Sequence, residues 1–347
     1  MEVKVKNKNT NYIKWFKETW KSNPYFSTGI ALLVMIVLQT LALGFNYPSF
    51  GDWLSSWTQN WINILRNNAG VGIIALGMTF VIISGGIDLA VGSTLVAVGA
   101  MLMMLIDVGP NGVLLGLGIT GVPAFIIAII IACIFGTLLG QGTGFLITKG
   151  KLPPFIATLG IMKICRSVTQ HFMQSYTPKV PQEFLSIASF KIGGQLLMPI
   201  IYWIVIAIIM YIISQKTTFG RHVFAIGSNE RTAKLSGINV AKVKRWVYSL
   251  MGLLVAISAI IQVSRIGSMD YANAGSGYEM DAIAAVIVGG TRMSGGRGSI
   301  IGTVFGMLII AVMNNLLNLI GVPPFLREAC KGAIVIGAVL LQKKEAE

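Results

Sequence analysis

Two glycine-rich segments hold the residues whose types and spacing suggest chemistry. Residues 81–101 read VIISGGIDLAVGSTLVAVGAM, and residues 286–307 read VIVGGTRMSGGRGSIIGTVFGM. Each is an apolar run, a glycine pair, a few polar residues, then Gly-Ser and a second apolar run. Gly85 and Gly86 match Gly289 and Gly290, and Gly92 and Ser93 match Gly298 and Ser299. Gly290 and Gly295 have the spacing of a phosphate loop, which requires G-x-x-x-x-G-K-[ST] so that amides and a lysine hold the phosphates. Gly296 stands where that lysine belongs. No such motif occurs elsewhere, and no paired carboxylates or nucleophile–base set can be placed. If ATP drives this protein, a separate chain binds and hydrolyses it, and this chain needs no cofactor of its own.

The remaining polar groups sit beside apolar sequence. Asp88 and Ser93 flank the first glycine pair, Asp281 opens the run before the second, and Ser299 follows it. These positions suit a central pathway or its gate, since a carboxylate in a membrane is costly unless paired or hydrated. Asp88 equally suits the cap of the following helix, whose N-terminal end is positive. Asn314, Asn315 and Asn318 offer weak hydrogen bonds of the kind a neutral polar solute needs, and positions 314 and 318 share a helix face. Interhelical amide bonds explain them as well. Cys133, Cys165 and Cys330 are dispersed, with no disulfide or zinc pattern. His171 and His222 lie far apart and suggest no metal pair.

The elements that carry these residues are membrane helices. Of 347 residues 54% are hydrophobic and 12% charged, against about 25% charged in a soluble domain. Apolar runs of spanning length predict helices over 26–45, 68–84, 89–106, 123–147, 154–173, 196–214, 246–264, 281–290, 299–320 and 328–342. The fold class is therefore all-α and polytopic, about ten transmembrane helices with broken or half-length helices and a parallel internal repeat. The run 281–290 is about 15 Å long, half the hydrocarbon thickness. Such a piece exists only where protein or a watery cavity covers its backbone, and matching glycine-broken segments point to a transport path. Glycines that merely let helices approach are the plainer reading. Residues 111–122 suit either a re-entrant piece or a lead into the next helix. Lys163 and Arg166, three apart on one face, either line a protein interior or snorkel to opposite sides.

The net charge of +14 follows from topology. With both termini in the cytoplasm, nineteen of the 27 basic residues fall on that side and six on the other. No nucleic acid is needed to explain the excess. Residues 1–25 form a cytoplasmic N-terminal segment, not a signal peptide. Ile13, Phe16 and Trp20 in it suit a helix on the lipid surface, or else the segment is a solvated basic tail. Residues 26–342 are the transmembrane domain and 343–347 a cytoplasmic tail. The loop 215–245 is far longer than a connector requires, which suggests a surface for a partner. Its middle, Asn229–Leu235, reads as one or two helical turns, capped by Ser228 or Asn229 and ended by Gly237.

GGIDLAVGS (85–93), AIGSNERTAKLSGINV (225–240), GYEMDAIAAVIVGGT (277–291), SGGRGSIIGT (294–303) and NNLLNLIGV (314–322) together resemble the permease subunits of bacterial ribose-type ABC importers. The resemblance runs from about residue 55 to the C-terminus. It implies two permease copies around a pore, a cytoplasmic ATPase dimer beneath and an extracytoplasmic sugar-binding protein above. It assigns coupling to the ATPase to Gly227, Asn229, Glu230, Ala233, Leu235, Ser236, Gly237 and Ile238. Relatives in the broader family carry galactose, xylose or branched-chain amino acids. VPPFLREACK (322–331) departs from the family by its charge. The rival is a secondary transporter without an ATPase. Ion coupling usually needs acids or histidines in the membrane, and the sequence offers only Asp88 clearly near the interior, which argues against a symporter but not a uniporter.

Overall fold

A computed structural model describes residues 24–344. The chain runs through α1 (Pro24–Leu43), α2 (Phe50–Ile83), α3 (Val91–Ile106), the short α4 (Val113–Gly116), α5 (Gly121–Thr148), α6 (Pro154–Met173) and α7 (Gln182–Ser189). A small hairpin of β1 (Lys191–Ile192) and β2 (Gln195–Leu196) follows. Then come α8 (Met198–Lys216), α9 (Thr218–Ser228), α10 (Glu230–Leu235), α11 (Val240–Ile266), α12 (Tyr278–Val288), α13 (Ile300–Leu319) and α14 (Pro324–Lys344). The protein is an all-α, multi-pass membrane protein. Among the described residues, α2, α5, α8, α11 and α13 are long and apolar enough to cross a membrane, and 28–43 and 91–106 are shorter apolar helices.

The core is made of α2 and α11, whose apolar windows are largely buried inside the protein. They can bury so much because small residues let backbones touch. Ala124, Ala128, Ala132, Gly136 and Gly140 recur four apart on α5 and are all buried, one stripe down the helix. A Cβ on Gly136 would lie 2.6 Å from the Gly252 carbonyl oxygen of α11. This is the small-residue contact that replaces the hydrophobic effect between helices in lipid. A hydroxyl pair, Thr79 of α2 and Thr303 of α13 at 2.7 Å, joins the other side of α2 to the second half of the chain.

Each of the ten expected runs carries a helix, with differences at the ends. α2 begins at Phe50, not near 68, and at about 51 Å it exceeds any bilayer thickness. Its first turns carry Trp53, Trp57 and Trp61 along one face, the first two stacked and the last tilted against Trp57. α12 has eleven residues, about 16 Å, and starts after Gly277 in the left-handed region at φ 82°. Residues 111–122 form α4 and a turn that lead into α5. The loop 215–245 holds two helices, α9 and α10, and α11 starts early at Val240. The reading of residues 1–22 as a surface helix lies outside the described residues, as do residues 345–347.

Candidate functional site

The two glycine pairs close two helices by one hydrogen-bond pattern. After α2, the Gly85 amide donates to Ile82 and the Gly86 amide to Val81. After α12, the Gly290 amide donates to Ile287 and the Thr291 amide to Val286. Gly85 (φ 78°) and Gly290 (φ 86°) take the left-handed position that glycine fills without strain. The backbone therefore pairs Gly85 with Gly290, one residue away from the sequence match. Gly289 instead lies against the Gly302 backbone of α13. The second match also separates. Ser299 caps α13 by accepting from the Gly302 amide, whereas Ser93 is a buried residue within the first turn of α3.

These turns meet the end of α9, just ahead of α10. The Gly296 amide donates to the Ile83 carbonyl at 2.9 Å. Gly227, near the end of α9, packs against that same hydrogen bond. A Cβ on Gly227 would lie 2.5 Å from the Gly296 nitrogen and closer still to the Ile83 oxygen. One on Gly295 would lie 3.0 Å from the Ile83 oxygen and 3.1 Å from the Gly227 oxygen. Three backbones, from the end of α2, the end of α9 and the loop 291–299, thus touch with no side chain between them. Neither the failed phosphate-loop spacing nor the 294–303 motif indicates in the sequence that Gly295 and Gly296 meet Gly227.

From this junction α10 projects. Asn229, not Ser228, caps it by accepting from the Thr232 amide at 2.9 Å. Its end is a Schellman turn: Ile238 donates to Ala233, Gly237 to Lys234, and Gly237 has φ 83°. Glu230 pairs with Lys244 of α11 at 2.6 Å, tying the helix to the body. Ala233 is 4% exposed and Leu235 82%. Ala233 therefore seats the helix, and Leu235 is the apolar residue it presents outward. Ser236 closes the helix through its hydroxyl on the Thr232 carbonyl.

The other candidates fall in two further places. Asp88 is 6% exposed, and its carboxylate accepts from the Ala90 amide at 2.9 Å, ahead of α3. That is a turn ahead of the helix and not the expected cap, because α3 starts from Ala90 with no side-chain hydrogen bond on its first amides. Asp88 is not the lone acid: Asp281 of α12 is largely buried against Lys331 of α14 at 2.9 Å, and Glu279 lies beside Gly92 at the start of α3. This corrects the expectation that Asp88 alone sits near the interior. It also explains the charged 322–331, since Lys331 serves Asp281 and Glu328 together. Gly92 packs against Gly275 in the non-helical stretch before α12, and Gly99 against Met269. That stretch thus runs along α3. One Arg166 nitrogen faces its carbonyls, at 3.3 Å from Tyr271, 3.2 Å from Ala272 and 2.9 Å from Ala274. Arg166 faces the protein while Lys163 is exposed, so the two do not act as a pair.

The asparagines line a third place, a cleft of about 220 Å³ between α2 and α13. Asn315 exchanges two amide hydrogen bonds with Asn60 of α2, at 3.2 and 3.1 Å. Asn314 and Asn318 share the wall, facing Asn63, Asn67 and Asn68. The α2 asparagines were missed in the sequence. Their signal was there, since 60, 63, 67 and 68 fall on one helical face. Outside the helices, Asp107 anchors the loop 174–181: it accepts from the Tyr176 hydroxyl and from the amides of Gly109 and Lys179. Burial pushes its carboxyl up, but those donors and the Lys179 charge hold it below the ordinary value. Tyr176 is raised by burial and by the Asp107 carboxylate.

The family described as "Branched-chain amino acid transport system / permease component" matches residues 60–339. The chain belongs to this permease family. The permease is 41% identical to the ribose import permease protein of Bacillus subtilis (strain 168), over 332 residues that cover 94% of each chain. It is 38% identical to a probable ABC transporter permease protein of Escherichia coli (strain K12), covering 90% of this chain and 88% of that one. The galactose/methyl galactoside import permease protein of the same strain is 33% identical, at 91% and 94% coverage. No solved structure matches. As a permease component the chain performs transport and no catalysis. Among the described residues no group of His, Cys, Asp and Glu could hold a metal ion.

Proposed function

We propose that two copies of this permease form the path of an ATP-driven importer for a monosaccharide of the ribose kind. A separate cytoplasmic ATPase supplies the energy, and an extracytoplasmic sugar-binding protein delivers the solute. The carrying observation is α10, a capped helix that presents Leu235 and is joined through Gly227 to the ends of both glycine-broken segments. A push on α10 would reach α2 and the loop before α13 as one rigid-body shift. The path residues are the glycine turns with Asp88, Ser93, Asp281 and Ser299, and the asparagine cleft beyond them.

Ten crossings with both termini in the cytoplasm agree with the basic residues of 215–245 and the positive-inside bias. In that frame α10 is cytoplasmic, the hairpin at 191–196 is outside, and the stretch 267–277 re-enters from outside. Non-helical backbone is tolerated in lipid only when its polar groups are met by protein or water, and Arg166 provides for three carbonyls there. Membrane lipid is then the remaining partner. The sugar assignment is supported by the ribose permease relative and by a polar cleft that no carboxylate lines. The test is uptake by the reconstituted complex with a panel of ribose, galactose, xylose and branched-chain amino acids. Accumulation of ribose above the others supports the reading. Accumulation of an amino acid but no sugar overturns the substrate class.

A further inference from the structure

We infer that the asparagine cleft between α2 and α13 is a resting subsite for one neutral polyol, open on the outer side, through which the sugar enters the path. The inference rests on the permease reading and on the topology proposed for it. The two walls are helices, so their amides stand in fixed positions. Asn60 and Asn315 hold each other. Asn68 donates to the Ile64 carbonyl, and Asn63 accepts from Gln59 at 3.3 Å. Asn67 accepts from Arg265 at 2.7 Å. Asn314 differs, because its side-chain oxygen is buried without any hydrogen-bond partner.

A buried acceptor without a donor is the group that a ligand hydroxyl would satisfy. An amide offers one acceptor and two donors, which matches a sugar hydroxyl in either sense. Ile64 and Ala311 supply apolar surface between the amides, as the C–H faces of a sugar ring require. Charge decides the class. No acid lines the cleft, which disfavours a cation. The single lining cation, Arg327, already gives its Nε to the Val322 carbonyl at 2.8 Å. The space, about 220 Å³, admits several waters or one small polyol. A few neutral hydrogen bonds make a weak site, on the order of millimolar. That suits a subsite that must release its solute inward.

The test is protection of a cysteine placed on the exposed wall. Asn67→Cys in the full complex is labelled from outside with a membrane-impermeant maleimide, with wild-type protein as the blank for its three native cysteines. At about ten times a millimolar Kd, ribose should slow labelling about tenfold. Adding Asn314→Leu should abolish the protection, and Asn314→Ser, which keeps a hydroxyl, should restore part of it. Asn318→Cys on the opposite wall repeats the measurement if Asn67→Cys does not insert. Labelling that ribose leaves unchanged, protection that survives Asn314→Leu, or protection by a sugar acid but not by ribose would each overturn the inference. So would a cysteine that the reagent never reaches from outside. Wild-type ATP-driven uptake tests the permease reading separately. If uptake proceeds and protection fails, the subsite alone is wrong.

Discussion

Gly227→Ala tests the junction with the smallest possible change. The new methyl carbon would stand 2.5 Å from the Gly296 nitrogen and nearer still to the Ile83 oxygen, while real Cβ atoms essentially never come within 3.0 Å. Even the milder contact demands a shift of half an ångström, and the neighbours are backbone rather than flexible side chains. The hydrogen bond from Gly296 to Ile83 lies directly in the way. Losing a buried hydrogen bond costs about 1–3 kcal/mol, and overpacking about 1–3 kcal/mol more. A total of about 2–6 kcal/mol corresponds to a thirtyfold or larger shift between joined and separated backbones. The helices themselves are untouched, so the permease should insert and the ATPase should still bind. Sugar moved per ATP hydrolysed in proteoliposomes should fall at least about tenfold. Gly142→Ala is the control, because nothing lies within 4 Å of its added carbon. If Gly227→Ala transports as well as Gly142→Ala at equal thermal stability, the junction does not transmit force.

Three further outcomes follow from the geometry. Leu235→Asp should leave insertion intact and sharply weaken co-purification of the ATPase, whereas Ala233→Trp should disrupt the loop itself, because Ala233 is buried and Leu235 is not. Arg166→Leu removes the donor shared by three carbonyls and should lower stability by about 3 kcal/mol, read as a lower midpoint of thermal unfolding in detergent; Arg166→Lys should recover part of the loss. The Asp107 tether should persist at pH 7 and pH 5. A carboxyl held below its ordinary value of about 3.9 stabilises the fold above that pH and stops doing so as pH falls through the folded value. Hydrogen exchange in residues 174–181 should therefore be protected at both pH values and rise only in stronger acid.

Much of this fold is written plainly in the sequence, because a membrane span declares itself by length and hydropathy. The run 154–173 coincides with α6, and α10 was legible from Asn229 and Gly237 alone. Hydropathy fails where a helix leaves the apolar pattern. The first eighteen residues of α2, rich in Asn and Trp, look like a loop until their 3.6-residue periodicity is read. α9 was hidden for the same reason. Backbone-to-backbone contacts are invisible in principle. Nothing in the composition says that Gly227 meets Ile83 and Gly296, or that Arg166 serves carbonyls rather than carboxylates. The glycine echo fixed two turns, but the left-handed residue that aligns them, Gly85 with Gly290, depends on φ angles that the letters do not carry.

The source of energy separates an ATP-driven permease from an ion-coupled transporter most directly. The permease, its ATPase and its binding protein are reconstituted in sealed vesicles, and labelled ribose uptake is followed with ATP on the α10 side. Accumulation against a gradient is predicted with hydrolysable ATP, and none with a non-hydrolysable analogue or with an imposed proton or sodium gradient. Accumulation driven by an ion gradient in the absence of ATP would contradict the ATP-driven reading.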